Sequence, residues 1–199
     1  INYRVSYYVL FWFGLSKAVG EMSNGVALAE ATWMISNSLS LVLYAHILNN
    51  DNEEEQKLLT FRFSKLCFLL TAASLALLCC IPSWVYVLVF GKDFTELKQY
   101  ILILSPGVLL LGVSTVMAHY FSAKGNYFVN NVKSVLGLAT VLVSLFVFLP
   151  LWGKNGAAIS TSVSYALSSG YLFYCFFKKA NIPLSEMLNW RDLDKIWKK

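Results

Sequence analysis

Residues 66–90 read LCFLLTAASLALLCCIPSWVYVLVF and carry no charged side chain over 25 positions. An apolar run of about 18 residues or more reads as a membrane-spanning helix, because a rise of ~1.5 Å per residue must cross ~30 Å of hydrocarbon. The same reading extends outward in both directions, to 22–47, 99–122, 132–151 and 156–177. A shorter apolar segment, 1–16, opens the chain and would need more residues upstream to cross. The expectation is therefore a fragment of a longer protein that begins partway through a helix. Composition agrees: 57% of the 199 residues are hydrophobic and 14% are charged. A soluble domain typically runs at ~45–50% and ~25%, so a soluble domain is excluded.

The fold class expected is all-α: a polytopic membrane helix bundle of about six transmembrane helices. Barrel strands are disfavoured because sustained period-two alternation is absent and the runs are about twice the length of a barrel strand. The expected domains are a six-helix transmembrane lobe over 1–177, its first helix truncated, and a cytoplasmic basic tail over 178–199. Pro82 and Pro106 fall in spans, where neighbouring helices can satisfy the freed carbonyls.

The net charge of +5 is a topology signal, not a nucleic-acid one. With six spans, twelve of the 16 basic residues fall on one side: Arg4, Lys57, Arg62, Lys65, Lys124, Lys133, Lys178, Lys179, Arg191, Lys195, Lys198 and Lys199. Lys17, Lys92, Lys98 and Lys154 fall on the other. Basic loops favour the cytoplasm, so both ends are expected there. Trp84 and Trp152 near the outer ends of their spans, and Trp190 and Trp197 in the tail, fit the headgroup preference of amphipathic rings. The acidic run 51–55 reads as a solvated cytoplasmic helix start, with Asn52 and Glu55 three residues on as a capping pair.

Polar side chains inside spans are the best pointers to function, because lipid does not solvate them. Ser23, Glu30, Asn37 and Tyr44 recur every seven residues and so share one helix face. This stripe reads either as the lining of a wet cavity or as structural bonding to a neighbouring helix. Arg4 is a second candidate, placed where a cavity cation could pair with a phosphate. His46 and His119 are too few for a metal set. Cys67, Cys79, Cys80 and Cys175 lie in apolar runs without metal or redox spacing and read as small apolar fillers. The span 156–177 is rich in Ser, Thr and Gly, which reads first as close helix packing and second as a polar substrate path. No phosphate-binding glycine loop, nucleophile elbow or paired acid and base stands in the sequence. No catalytic residue, metal or cofactor is therefore assigned, and the chain is not read as an enzyme.

Six segments together resemble a known family: Ile1-Asn2-Tyr3-Arg4-Val5, Ala18-Val19-Gly20, Ala27-Leu28-Ala29-Glu30-Ala31, Phe90-Gly91-Lys92-Asp93-Phe94, Ala123-Lys124-Gly125-Asn126 and Gly156-Ala157-Ala158-Ile159-Ser160-Thr161. Their order is similar to the C-terminal half of polysaccharide transporters in the multidrug/oligosaccharidyl-lipid/polysaccharide exporter superfamily, the flippases of O-antigen and capsule units. Ser6 stands where that family often has an acidic residue, and Ser36 where it often has a proline. The resemblance implies one lobe of a two-lobed, roughly twelve-helix transporter in the bacterial cytoplasmic membrane. The implied partners are a lipid-linked oligosaccharide on undecaprenyl pyrophosphate, the phospholipid bilayer and the N-terminal half of the same transporter. Nucleic acid is not among them. It also implies alternating access powered by an ion gradient or membrane potential, with Arg4 attracting the pyrophosphate and Glu30 and Asn37 as polar cavity groups.

Three other readings compete. A drug or cation exporter of the same superfamily would share the fold and be separated by substrate assays. An integral membrane enzyme acting on lipid-linked sugars would need a large outer loop with a His, Arg or Asp cluster, and the outer loops here are short. A non-transporting scaffold predicts no polar stripe facing inward.

Overall fold

The computed structural model describes residues 4–180. Among them lie seven helices: α1 (Val5–Trp12), α2 (Ser16–Leu48), α3 (Glu53–Cys80), α4 (Ser83–Phe90), α5 (Leu97–Ala123), α6 (Tyr127–Trp152) and α7 (Lys154–Ala180). No strand occurs among the described residues. Ile1 to Tyr3 and the tail from Asn181 onward, with Trp190 and Trp197, lie outside them. Lys178 and Lys179, assigned to the tail from sequence, close the last turn of α7.

Four helices, α2, α3, α5 and α6, are long and apolar enough to cross a membrane. The expected count of about six is thus met by four on these criteria. The difference has three causes. α1 is an eight-residue piece within the described residues. The expected span 66–90 is broken at Ile81 and Pro82, so its second half becomes the separate α4. α7 is long, with 27 residues, but its serines and lysines dilute its hydropathy.

The break follows from proline chemistry. Proline pushes the residue before it out of the helical region, and Ile81 is extended, with φ −62° and ψ 127°. Pro82 also lacks the N–H that would have bonded the Leu78 carbonyl four residues back. That carbonyl instead accepts the Ile81 N–H at 3.2 Å and the Tyr86 hydroxyl at 2.6 Å. Pro106 and Pro150, by contrast, sit inside helices that continue past them.

α5 is the central post, packed against α2, α3 and α7. Small residues allow the approach. A Cβ added at Gly107 would stand 2.7 Å from the Ser162 carbonyl oxygen on α7, and one at Gly25 of α2 would stand 2.8 Å from the Tyr100 Cβ on α5. Large side chains fill the remaining space: Tyr100, Tyr120, Phe121 and Phe176 are all fully buried.

Two turns are closed by the same device. Past the end of α5, Gly125 takes φ +70°, its N–H donates to Ser122 O at 3.0 Å, and the Asn126 N–H donates to Phe121 O at 2.9 Å. Past α1, Gly14 takes φ +74°, with Gly14 N–H to Phe11 O at 3.0 Å and Leu15 N–H to Leu10 O at 3.1 Å. Both are the paired bonds by which a left-handed glycine ends a helix. The α3 start is capped as the sequence implies: Asn52 Oδ1 accepts from the Glu54 and Glu55 N–H groups at 3.1 and 3.3 Å. The Asn52 N–H itself is taken by Asn50 Oδ1 at 2.9 Å, a role a capping box would give to Glu55.

Ion pairs sort the loops to two ends of the bundle. Lys17 pairs with Asp93 at 3.6 Å and Lys154 with Glu96 at 2.5 Å. These join the α1–α2, α4–α5 and α6–α7 connections at one end. Lys124 pairs with Glu53 at 3.1 Å, joining the α2–α3 and α5–α6 connections at the other. The grouping matches the two sides drawn from the sequence.

Candidate functional site

The polar stripe of α2 lies along the margin of the bundle. Ser23, Glu30, Asn37 and Tyr44 are all half-buried. The inner face of the same helix is packed through Gly25, Ala29, Ser36, Ser40 and Leu43, while Ala27, Ala31, Met34, Ser38 and Leu41 are exposed. The stripe therefore separates the packed face from the open one.

Glu30 is the centre of this margin. Its Oε1 accepts the Tyr165 hydroxyl of α7 at 2.5 Å. Half-buried Tyr7 on α1 feels the charges of Glu30 and Arg4, and the charge of Arg4 reaches Glu30. α1, α2 and α7 thus bring Arg4, Tyr7, Glu30 and Tyr165 to one seam. Beneath it the Ser6 and Thr161 hydroxyls are hydrogen-bonded at 2.9 Å and buried. Ser6 replaces an acidic residue frequent in the resembled family. Here a short hydroxyl closes the α1–α7 contact without placing a second carboxylate near Glu30.

The three candidate residues are not all together. Arg4 stands at the N-cap position of α1 and is exposed. Glu30 lies within its electrostatic reach. Asn37 is seven residues beyond Glu30, or about 10 Å along the helix axis, and belongs to the same margin but not to the Glu30 cluster. Tyr44, further on, packs edge-to-face on His119 with ring centroids 6.2 Å apart. His119 Nδ1 lies 2.9 Å from the Thr115 carbonyl oxygen, and Thr115 Oγ1 accepts the Trp33 indole N–H at 2.6 Å.

The hydroxyls of α7 face protein. Ser160, Thr161, Ser162, Ser164, Ser168 and Ser169 are buried. Ser164 donates to Gly137 O of α6 at 2.7 Å and Ser169 to Ser114 Oγ of α5 at 3.0 Å. This geometry is helix packing, with Tyr165 the member of the row that reaches the margin. Ser36, where the resembled family often has proline, hydrogen-bonds Thr71 of α3 at 2.9 Å, and α2 runs unbroken for 33 residues.

Two polar residues escaped the sequence reading. Glu21 is 3% exposed inside α2, just ahead of the apolar run 22–47. Tyr165 was passed over because it lies among serines read as packing. Its spacing from Thr161, four residues and one turn earlier, is the signal that could have placed it on the inner face.

The fold defines a helical membrane protein, four of its helices long and apolar enough to cross a bilayer, with Glu30 and Tyr165 in contact at the bundle margin. Over 89 residues the chain is 34% identical to the capsular polysaccharide biosynthesis protein CapF of Staphylococcus aureus, a match covering 44% of this chain and 22% of that protein. The matched stretch is thus about a fifth of that relative's length. No family model matches the chain. No solved structure matches it either.

Proposed function

We propose that this chain is one lobe of a transporter that flips undecaprenyl-pyrophosphate-linked oligosaccharide units across the bacterial cytoplasmic membrane, for O-antigen, capsule or exopolysaccharide synthesis. The observation that carries the reading is the Glu30–Tyr165 contact at the α1–α2–α7 seam, with Arg4 in electrostatic reach. A carboxylate and a guanidinium at the margin of greasy helices need a wet or polar surrounding. A second lobe, the N-terminal half of the same transporter, would enclose that margin as a cavity. The similarity to CapF, a capsular polysaccharide biosynthesis protein, supports the same class of substrate.

The physical task fits the arrangement. A pyrophosphate-linked sugar is charged and hydrated, so lipid is closed to it. A wet cavity between two helical lobes removes that barrier, and rocking of the lobes exposes it alternately to the two faces. Arg4 attracts the pyrophosphate as a charge-assisted donor. Glu30 changes its protonation or its pairing during the cycle, and Tyr165 holds it in the resting geometry. The α2–α3 and α5–α6 connections lie on the cytoplasmic side by the distribution of basic residues, and the chain works as a transporter rather than as an enzyme.

The test is transport of lipid-linked oligosaccharide in cells carrying the full-length protein with Glu30→Gln, followed across external pH. The expected result is transport reduced at least about tenfold, with its pH dependence flattened. Unchanged transport and an unchanged pH profile would defeat the reading.

A further inference from the structure

A second buried carboxylate stands away from the Glu30 seam, at the end of the bundle where the α1–α2, α4–α5 and α6–α7 connections meet. Glu21 is 3% exposed, in the second turn of α2. Its carboxylate accepts the backbone N–H of Glu96, the residue that precedes α5. The charges that reach it are those of Glu96, Lys154 and Lys17. Both ammoniums are already engaged: Lys154 lies 2.5 Å from Glu96, and Lys17 lies 3.6 Å from Asp93. Glu21 itself forms no ion pair among the described residues.

Tyr100 of α5 faces the same place. Gly25, one turn past Glu21 on α2, makes room for it: a Cβ there would stand 2.8 Å from the Tyr100 Cβ. Side chains on a helix lean toward its N-terminus. The Tyr100 ring therefore runs from Gly25 toward Glu96 and Glu21, and the charges of both carboxylates reach it. Tyr100 is fully buried, yet its hydroxyl has no hydrogen-bond partner among the described residues. A buried phenol normally finds one. Here the Tyr100 oxygen faces two carboxylates without bonding either.

We infer that Glu21, Glu96 and Tyr100 form a binding site for a sodium ion. Hard cations take oxygen ligands. An ion held ~2.4 Å from each ligand joins oxygens up to ~4.8 Å apart, a spacing no hydrogen bond spans. A water molecule would serve the phenol but leave the Glu21 charge uncompensated away from solvent. A proton would neutralise Glu21 but leave the phenol unserved. A divalent ion would bring one charge more than Glu21 offers, since Glu96 is shared with Lys154. The site lies about one and a half turns below its end of the bundle, so the ion enters from that aqueous face. It stands independently of the transport reading, because Glu21 is about 13 Å from Glu30 along α2.

The experiment is thermal unfolding of the full chain in micelles, in sodium chloride and in choline chloride at equal ionic strength and the same neutral pH. A ligand that binds only the folded chain raises the midpoint with its concentration. Sodium should raise the midpoint saturably, and choline should not. The half-saturating sodium concentration should rise at least about tenfold in Glu21→Gln, which removes a charged ligand. It should rise about threefold in Tyr100→Phe, which keeps the ring. The response should persist in Glu30→Gln, so the site and the transport reading fail separately. Identical midpoints in sodium and choline overturn the proposal, and this arm needs no variant to fold. A midpoint that follows pH but not sodium would mean that Glu21 takes a proton instead, and overturns it as well. So does a sodium response that survives undiminished in the folded Glu21 and Tyr100 variants.

Discussion

α6 and α7 form one antiparallel pair, nearly equal in length at 26 and 27 residues, and their compositions are inverted. α6 is apolar enough to be recognised as a span, whereas α7 is not. Yet α7 buries thirteen residues, six of them Ser or Thr, and α6 buries six. Val135, Val143, Phe146, Val147 and Leu151 of α6 are exposed. In water that would be an aggregating surface; in a bilayer it is the surface the solvent prefers. The pair teaches that, between these two helices, hydropathy follows contact with lipid. Polarity of small side chains measures contact with protein, because neighbouring helices supply the hydrogen-bond partners that lipid cannot.

The sharpest way to break the comparison is at the contact itself. A Cβ at Gly156 of α7 would stand 2.1 Å from the Phe148 carbonyl oxygen of α6. Backbone cannot swing aside as a side chain can, so Gly156→Val should destabilise by at least ~3 kcal/mol, the upper range of ordinary overpacking. Thermal unfolding in micelles should show a large fall in midpoint or no folded protein. A wild-type midpoint would mean that the two helices do not meet as described.

A smaller effect is expected from the lipid face of α6. Val143 is 66% exposed near the middle of the helix. Val143→Arg should cost about 2.5–3.5 kcal/mol of membrane insertion, read as the inserted fraction in a translocation assay. Val143→Leu should be neutral within about 0.5 kcal/mol. If arginine were tolerated as well as leucine, α6 would not face lipid.

The smallest effect probes the polar side of the pair. Ser164→Ala removes the bond to Gly137 O and should cost about 0.6–1.7 kcal/mol, the range for interhelical bonds in membranes. Equilibrium unfolding in mixed micelles would measure it. A loss beyond ~2 kcal/mol would show that α7 hydroxyls act as a coupled network. No loss would reduce them to spacers.

Much of the bundle was legible in the chain. α2, α5 and α6 fall within a few residues of the apolar runs that announced them, because the bilayer demands length and hydropathy from any helix it touches. The cap at Asn52 was readable for a local reason: its hydrogen bonds close within three residues. Pro82 was visible as an interruption, but that it separates two helices rather than kinking one shows only in the extended backbone of Ile81. The candidate site was legible only as a stripe. Seven-residue spacing put Ser23, Glu30, Asn37 and Tyr44 on one face of α2. It did not reveal Tyr165, which is 135 residues from Glu30 in the chain, nor that Asn37 stands apart from the Glu30 cluster. Lys65 looked like a loop charge next to a span, until α3 proved to begin twelve residues earlier at Glu53.

The sequence by itself determined that this is a helical membrane chain, where most helices run, and which carboxylate rides inside one of them. Each of these follows from local composition and the cost of polar groups in hydrocarbon. Only the tertiary structure decided that α5 is the post around which α2, α3 and α7 pack. It alone set the serine-rich helix inward and turned Glu30 toward Tyr165. Those outcomes depend on which small surfaces fit together across long stretches of chain, and periodicity along one helix carries no record of its neighbour.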